Sequence, residues 1–326
     1  MYQNKNDTTN MDFVVPIKKM GMFTQSVLEG ISLFYEPKRI IVVTSKSEIP
    51  ILHEQLRTWK IGYIEIIDEN IFFVEHFALT MDDLENIFQK TTDVKHREFG
   101  WWYQQMIKLG ASSQIKDISE NYVVWDGDLI PLKKWELVVT KINDNNTNNN
   151  NNINNDNKTN FYIAVLQDQS RSQFNKEEYH KCIEYLFGFP PFCPSKEGTF
   201  VSHHMVFNKK YVKEMIQTIL DRKNISESWP IYFISLSHKF YRFSEYMMYS
   251  SFMVKFHPEE FFYYPYELYG KMGVRFREQD TKEIIEKFRE KYAYKNTGFL
   301  SYQEIVKFFN EKNHTYVQFE HVYHLL

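Results

Sequence analysis

Four groups of residues have types and spacings that can do chemistry. The first is Asp126-Gly127-Asp128, which follows the apolar run Asn121-Tyr-Val-Val-Trp125. A strand ending in Asp-x-Asp sets two carboxylates at a sheet edge, and the glycine between them admits close approach of a ligand or of backbone. Hard divalent cations take such oxygens and keep positions open for phosphate oxygens. A cation held this way supports a diphosphate leaving group as a Lewis acid. Asp-Gly-Asp is also favourable turn chemistry, so the tripeptide alone reads either way. The strand before it and Leu129-Ile-Pro131 after it favour the metal.

The second group is Trp101-Trp-Tyr-Gln-Gln-Met-Ile-Lys-Leu109. At helical spacing Trp101, Gln104, Gln105 and Lys108 share one face, opposed by Met106 and Leu109. An aromatic face, two amides and a cation suit a sugar or nucleotide cleft. A core Trp with amides serving nearby loops is the plainer alternative. The third is Phe243-Ser-Glu-Tyr246. Ser244 is a good N-cap and puts Glu245 in the first helical turn. The helix dipole there favours an ionised carboxylate available as a base; a surface Glu that merely satisfies the dipole fits the same spacing. The fourth is Thr199-Phe-Val-Ser-His-His-Met205, where His203 and His204 on a strand-like run face opposite sides, one to the core and one to a cleft. His257, in Phe256-His-Pro258, is a third loop histidine. Residues 293–304 mimic half of a calcium loop, but Ala293, Lys295 and Thr297 stand where oxygen ligands are needed. Glu304 belongs instead to a capping box, Ser301-Tyr-Gln-Glu304.

The elements that must position these groups alternate. Asp12–Ile17 reads as a first strand, Thr24–Phe34 as a helix, Arg39–Thr44 as a buried parallel strand, Ile49–Trp59 as a helix and Ile61–Asp68 as a strand. That rhythm predicts an α/β architecture with parallel strands and right-handed crossovers. In such sheets the ligand crevice lies at the carboxyl ends of the strands. Helices are expected around Met81–Lys90, from Gly100 to Leu109, over Lys176–Phe187, within Val206–Leu220 and over Ser244–Met253. Trp135–Ile142 and Phe161–Leu166 read as strands joined by residues 143–160, where 12 of 18 residues are Asn. That insert cannot bury enough apolar surface to offset its ordering entropy and reads as a disordered hairpin extension. Two amphipathic helices are expected in 280–326.

The chain has 326 residues, 43% hydrophobic and 25% charged, with a net charge of −3. That describes a globular chain with ample core and no basic surplus for nucleic acid or an anionic membrane. Cys182 and Cys193 make neither a disulfide framework nor a zinc site. No apolar run approaches about 18–20 residues and no secretory signal is evident, so a cytoplasmic location is expected. Aromatic residues reach 17%. Most fall at core spacing, while Trp101, Trp102 and Trp125 lie beside the candidate motifs, and the aromatic run 261–269 is a candidate acceptor wall.

Taken in order, these pieces resemble the GT-A class of nucleotide-sugar-dependent glycosyltransferases, and more narrowly a little-characterised family of GT-A-like proteins. The matching stretches are Val14-Val-Pro-Ile-Lys18, Arg39–Thr44, the helix of 101–109, Tyr122–Asp128, Phe200–Met205 and Phe243–Tyr246. The resemblance implies a Rossmann-type, mostly parallel mixed sheet flanked by helices. It covers about residues 12–257; with the polar tail and the amphipathic C-terminal helices, the chain is expected to divide into a flexible tail at 1–11, a GT-A-like catalytic domain at 12–270 and a C-terminal helical extension at 271–326. It further implies a UDP-type sugar donor bound through Mn²⁺ or Mg²⁺ at Asp126 and Asp128, with Asp128 the more direct ligand and His257 a candidate third. Pro16 and Lys18 would lie near the nucleotide. Trp101, Gln104, Gln105, Lys108, His203 and His204 would contact substrate. Glu245 would deprotonate a hydroxyl of a protein, small-molecule or glycan acceptor, with inversion. Two other readings are open: a non-catalytic GT-A-like binding protein, and, more distantly, a metal-dependent phosphoryl-transfer enzyme.

Overall fold

The computed structural model describes residues 2–3, 10–91, 99–142, 158–165, 167–168, 173–192, 198–264, 273–291, 298–309 and 314–319. Cys193, most of the 261–269 aromatic run, residues 143–157 of the Asn-rich insert and the first half of the calcium-loop look-alike lie outside them.

The amino-terminal third follows the expected alternation. Strand β1 is Asp12–Ile17, helix α1 Thr24–Tyr35, β2 Arg39–Thr44, α2 Ile49–Gln55 and β3 Ile64–Asp68. β1 and β2 are almost wholly buried, as continuous apolar runs covered on both faces must be. Val27, Leu28 and Ile31 of α1 are fully buried, and the helix ends where Glu36 turns left-handed. Helix α3 is Met81–Thr91, α4 Phe99–Gln114 and β4 Asn121–Trp125. After the short strand β5, Leu129–Pro131, come β6, Val138–Ile142, and β7, Lys158–Val165. These two pair antiparallel as a hairpin, so Lys158–Asn160, placed in the insert by composition, belong to the strand.

Then follow α5, Gln173–Phe187, β8, His204–Asn208, and α6, Lys209–Lys223, whose N-cap Asn208 accepts from the N–H groups of Lys210 and Tyr211. Helix α7 is Trp229–Ser235, α8 Glu245–Phe256 and β9 Phe261–Tyr264. The C-terminal region supplies β10, Val274–Phe276, α9, Glu278–Lys291, α10, Tyr302–Phe309, and β11, Tyr316–Phe319.

The main sheet runs β8-β4-β1-β2-β3. β4, β1, β2 and β3 are mutually parallel, and β8 lies antiparallel on β4. The parallel strands are those the alternation predicts, and the mostly parallel mixed sheet with flanking helices is the one the resemblance implies. Pro16 sits inside the central strand β1, at a point where pairing with β4 has already ended at Val14↔Val124. Its missing N–H therefore takes nothing from that ladder.

The C-terminal region is more than helical. β11 pairs antiparallel with β5 and parallel with β10. Phe319 stacks on Phe23 at 3.8 Å, and Val317 and Phe319 are fully buried. The capping box of α10 forms, with Ser301 N–H donating to Glu304 Oε2 at 2.8 Å. Tyr302 N–H donates to Glu29 Oε2 of α1 at 2.8 Å, and Leu300 N–H to the Met22 carbonyl at 2.8 Å. Burying side chains of this size is worth about 1.5–3 kcal/mol each, so the segment is held by packing as well as by these bonds.

Candidate metal centre

β4 delivers Asp126 to the carboxyl edge of the main sheet. The antiparallel register sets His204 opposite Trp125, so His203 falls opposite Asp126. The Asp126 N–H donates to the His203 carbonyl at 2.8 Å, and His203 Nδ1 lies 2.7 Å from Asp126 Oδ2. His203 holds a left-handed backbone, φ 61°. For a non-glycine residue that conformation is costly and is maintained where the surroundings demand it. It folds the ring back onto the aspartate. The other ring nitrogen, Nε2, is buried with no hydrogen-bond partner.

Asp128 follows after the buried Gly127. Its carbonyl accepts from Phe319 N–H at 3.1 Å, and its carboxylate faces the side-chain amide of Gln318, Nε2 standing 3.4 Å from each oxygen. Ligand atoms of Asp126, Asp128 and His203 all lie within 4.8 Å of one another, the one group among the described residues able to hold a metal ion.

A buried lysine stands behind this trio. Lys108 of α4 is 1% exposed, and its Nζ lies 2.5 Å from Asp126 Oδ1 and 2.6 Å from Glu245 Oε1. Gln105 Oε1 is 3.4 Å away and the Tyr246 ring 4.5 Å. Tyr246 OH donates to Asp126 Oδ1 at 3.0 Å. Burial opposes charge on Lys108, but Asp126 and Glu245 outweigh it and hold the ammonium above its ordinary range. Burial likewise opposes charge on Asp126, and there Lys108 and His203 outweigh it and keep the carboxyl well below its ordinary range. For Glu245 burial wins over Lys108, and the carboxyl is pushed up.

The donor set fits a divalent ion. Two carboxylates and an imidazole are oxygen and nitrogen donors of the kind that hold divalent ions. Asp126 and Asp128 put two carboxylates in the group, charge that a divalent ion would match.

The structure moves several expected residues. His257 ends α8, whose 12 residues put it about 18 Å along the axis from Glu245 at the other end. It pairs with Glu214 at 3.1 Å and lies against the Tyr211 ring, away from the cluster of Asp126 and Asp128, whose imidazole is that of His203. His204 is 1% exposed, wedged against Trp125 and Trp135, and burial pushes its pKa down to about 3. It is a neutral core residue. Glu245 has its expected N-cap, Ser244 accepting from Met247 N–H, but at 1% exposed and bound to Lys108 it presents no base to an acceptor.

Lys108 and Gln105 also turn inward, bonded within the protein; Gln105 Nε2 donates to the Trp101 carbonyl at 3.1 Å. Trp101 and Gln104 are half-buried. Trp101 lies two turns from Lys108 along α4, about 10 Å away, stacked parallel to Tyr179 with Arg242 over its ring. Trp125 is a core residue that donates its indole N–H to the Leu129 carbonyl at 2.8 Å. Pro16 is buried in β1, and Lys18 is exposed just past the strand, beside Gly100.

Sequence reading missed Gln318 and Tyr246. Tyr246 stood in the Phe-Ser-Glu-Tyr motif beside the residue singled out. Gln318, on β11, gave no local signal except a lone amide in an apolar run.

A family model described as a family of unknown function, DUF6492, matches residues 24–318. No curated protein matches the chain. Among solved structures, mouse xyloside xylosyltransferase 1 in its apo form is 8% identical, covers 94% of this chain and 97% of its own, and superposes with a TM-score of 0.46. The galactosyltransferase LgtC in complex with donor and acceptor sugar analogs is 10% identical over 95% of this chain and 87% of its own, with a TM-score of 0.38. The PaToxG glycosyltransferase is 7% identical over 76% and 69%, with a TM-score of 0.37. Among the described residues no helix is long and apolar enough to cross a membrane.

Proposed function

The chain belongs to the family of unknown function DUF6492, and we propose that it is a metal-dependent glycosyltransferase moving a sugar from a nucleotide-sugar, of UDP type, to an acceptor hydroxyl. One observation carries this reading: Asp126, Asp128 and His203 converge at the carboxyl edge of a mostly parallel sheet, where α/β proteins bind ligands. The motif stretches that resemble GT-A enzymes supply these same residues. Mn²⁺ or Mg²⁺, when bound, supplies Lewis-acid support to the diphosphate leaving group.

The chain's own residues do the rest. Asp126, Asp128 and His203 would hold the cation, and Asp126 also orients the His203 ring through Nδ1. Lys108, anchored by Glu245, fixes Asp126 in turn. Lys18, exposed at the end of β1, is placed to meet a phosphate. In this reading Glu245 positions Lys108, and the acceptor is a protein, small molecule or glycan.

A thermal-shift screen of UDP- and GDP-sugars with and without Mn²⁺ tests the reading. A ligand at 100 times its Kd stabilises by about 2.7 kcal/mol. With an unfolding entropy of about 0.7 kcal/mol/K for 326 residues, that raises Tm by about 4 °C. The rise is expected to be larger with metal and nucleotide-sugar together than with Mn²⁺ alone, and should vanish in Asp128→Ala along with slow hydrolysis of the donor. No shift with any donor, or hydrolysis unchanged in Asp128→Ala, refutes the proposal and leaves a binding protein.

A further inference from the structure

We infer that Gln318, from the C-terminal strand β11, is a positioning residue for the metal centre: its amide holds the Asp128 carboxylate in place for the cation. The inference rests on the reading of Asp126, Asp128 and His203 as a cation site. β11 is fixed beside that site because it pairs with β5, the strand that follows Asp128 directly, in the register Gln318↔Leu129. Phe319 N–H donates to the Asp128 carbonyl, so backbone and side chain of the same aspartate are both gripped from β11.

Alternation along β11 puts Tyr316 and Gln318 on one face and Val317 and Phe319 on the other. All four are buried, and Gln318 is 0% exposed. An amide in that slot is expensive. Its Nε2 has the two Asp128 oxygens, each at 3.4 Å, and its Oε1 is buried with no partner. An unsatisfied buried acceptor costs about 1–3 kcal/mol. An apolar side chain of the same length would avoid that cost, so packing gives no reason for glutamine here. Steering Asp128 does. A carboxylate free to rotate must be reordered when it takes up a cation, and one already held by an N–H donor needs less reordering. Residues that orient metal ligands from behind matter nearly as much as the ligands, and their loss costs about 10–100-fold in metal affinity or activity.

Calorimetric titration of the full chain with Mn²⁺ alone decides the matter, alongside melting in chelator. Gln318→Met keeps length and volume and removes the donor. Gln318→Asn keeps an amide but withdraws it by one methylene. Each should weaken Mn²⁺ binding about 10- to 100-fold, while melting in chelator stays unchanged or rises for Gln318→Met. A purely structural residue would do the reverse, lowering the melting temperature and leaving the Mn²⁺ affinity alone. Wild-type binding with undiminished binding in either folded variant overturns the inference and leaves the metal reading standing. A wild-type chain that takes up no Mn²⁺ overturns both. If neither variant folds, Gln318 is a structural residue and the inference fails.

Discussion

Replacing Lys108 by Met removes the one cation shared by two buried carboxylates. Asp126 Oδ1 and Glu245 Oε1 sit 2.5 and 2.6 Å from the same nitrogen, so they lie no more than about 5 Å apart. At an effective dielectric constant near 20, two like charges at that separation repel by about 3 kcal/mol or more. Removing one partner of a buried ion pair costs about 3–5 kcal/mol by experience, and the two figures agree. For a chain of this length that is a fall in Tm of about 4–7 °C. Glu245 takes the larger share, because it is the more buried of the two.

The sign of the pH dependence follows. Burial outweighs Lys108 and already raises the folded-state pKa of Glu245 above its ordinary value, and without Lys108 it must rise further. A carboxyl raised on folding contributes stability that is complete below the unfolded pKa and is lost as pH rises through the folded one. The deficit of Lys108→Met should therefore grow as pH rises above the ordinary carboxyl value of 4.5 and shrink on acidification toward it. Adding Glu245→Gln to Lys108→Met removes the repulsion and should restore about half the loss or more. Calorimetric melting of the wild type, both single variants and the double variant, in chelator at several pH values, measures each quantity. If Lys108→Met melts within about 1 °C of wild type, or the double variant shows simple additivity, the ion-pair account is wrong.

Two further outcomes are expected. Glu69, at the end of β3, is buried and its pKa is pushed up to about 7 by that burial, against the pull of Lys18. Its contribution to stability should be full below 4.5 and lost as pH rises through about 7, so Glu69→Gln should flatten the melting-temperature slope across that window, and an unchanged slope would remove Glu69 as its source. Gly110→Ala puts a Cβ 2.7 Å from a Phe73 ring carbon inside α4; overpacking of about 1–3 kcal/mol should exceed the gain in helix propensity, and a variant melting above wild type would contradict that.

The scaffold was legible because its signals are local. Continuous apolar runs at Phe13–Ile17 and Ile40–Thr44 have few ways to be buried other than in a parallel sheet. Asp126-Gly127-Asp128 was readable as a strand end for the same reason. The partners of those aspartates were not. His203 reaches Asp126 only because β8 runs antiparallel to β4 in one particular register, and register between strands some 80 residues apart leaves no mark on either. His257 looked as good by composition, and a helix length separates it from the centre. Lys108 and Glu245 were both singled out, but each was expected to face a ligand. Their pairing with each other depends on how α4 and α8 meet, which no single stretch of sequence encodes. β11 was missed because a four-residue strand near the end of a helical stretch has too little pattern to register.

The pairing of β5 with β11 also sets an order in time. Asp128 and Gln318 are 190 residues apart in the chain. At about 5–20 residues per second of synthesis, the aspartate pair leaves the ribosome about 10–40 s before the strand that grips it. During that interval β5 has an open edge and the acidic residues have no amide to orient them. On the proposed reading, a nascent chain, however well folded in its first half, binds a cation less tightly than one whose β11 has joined β5. Ribosome-held chains stalled before residue 316 should take up Mn²⁺ less tightly than chains stalled well beyond it.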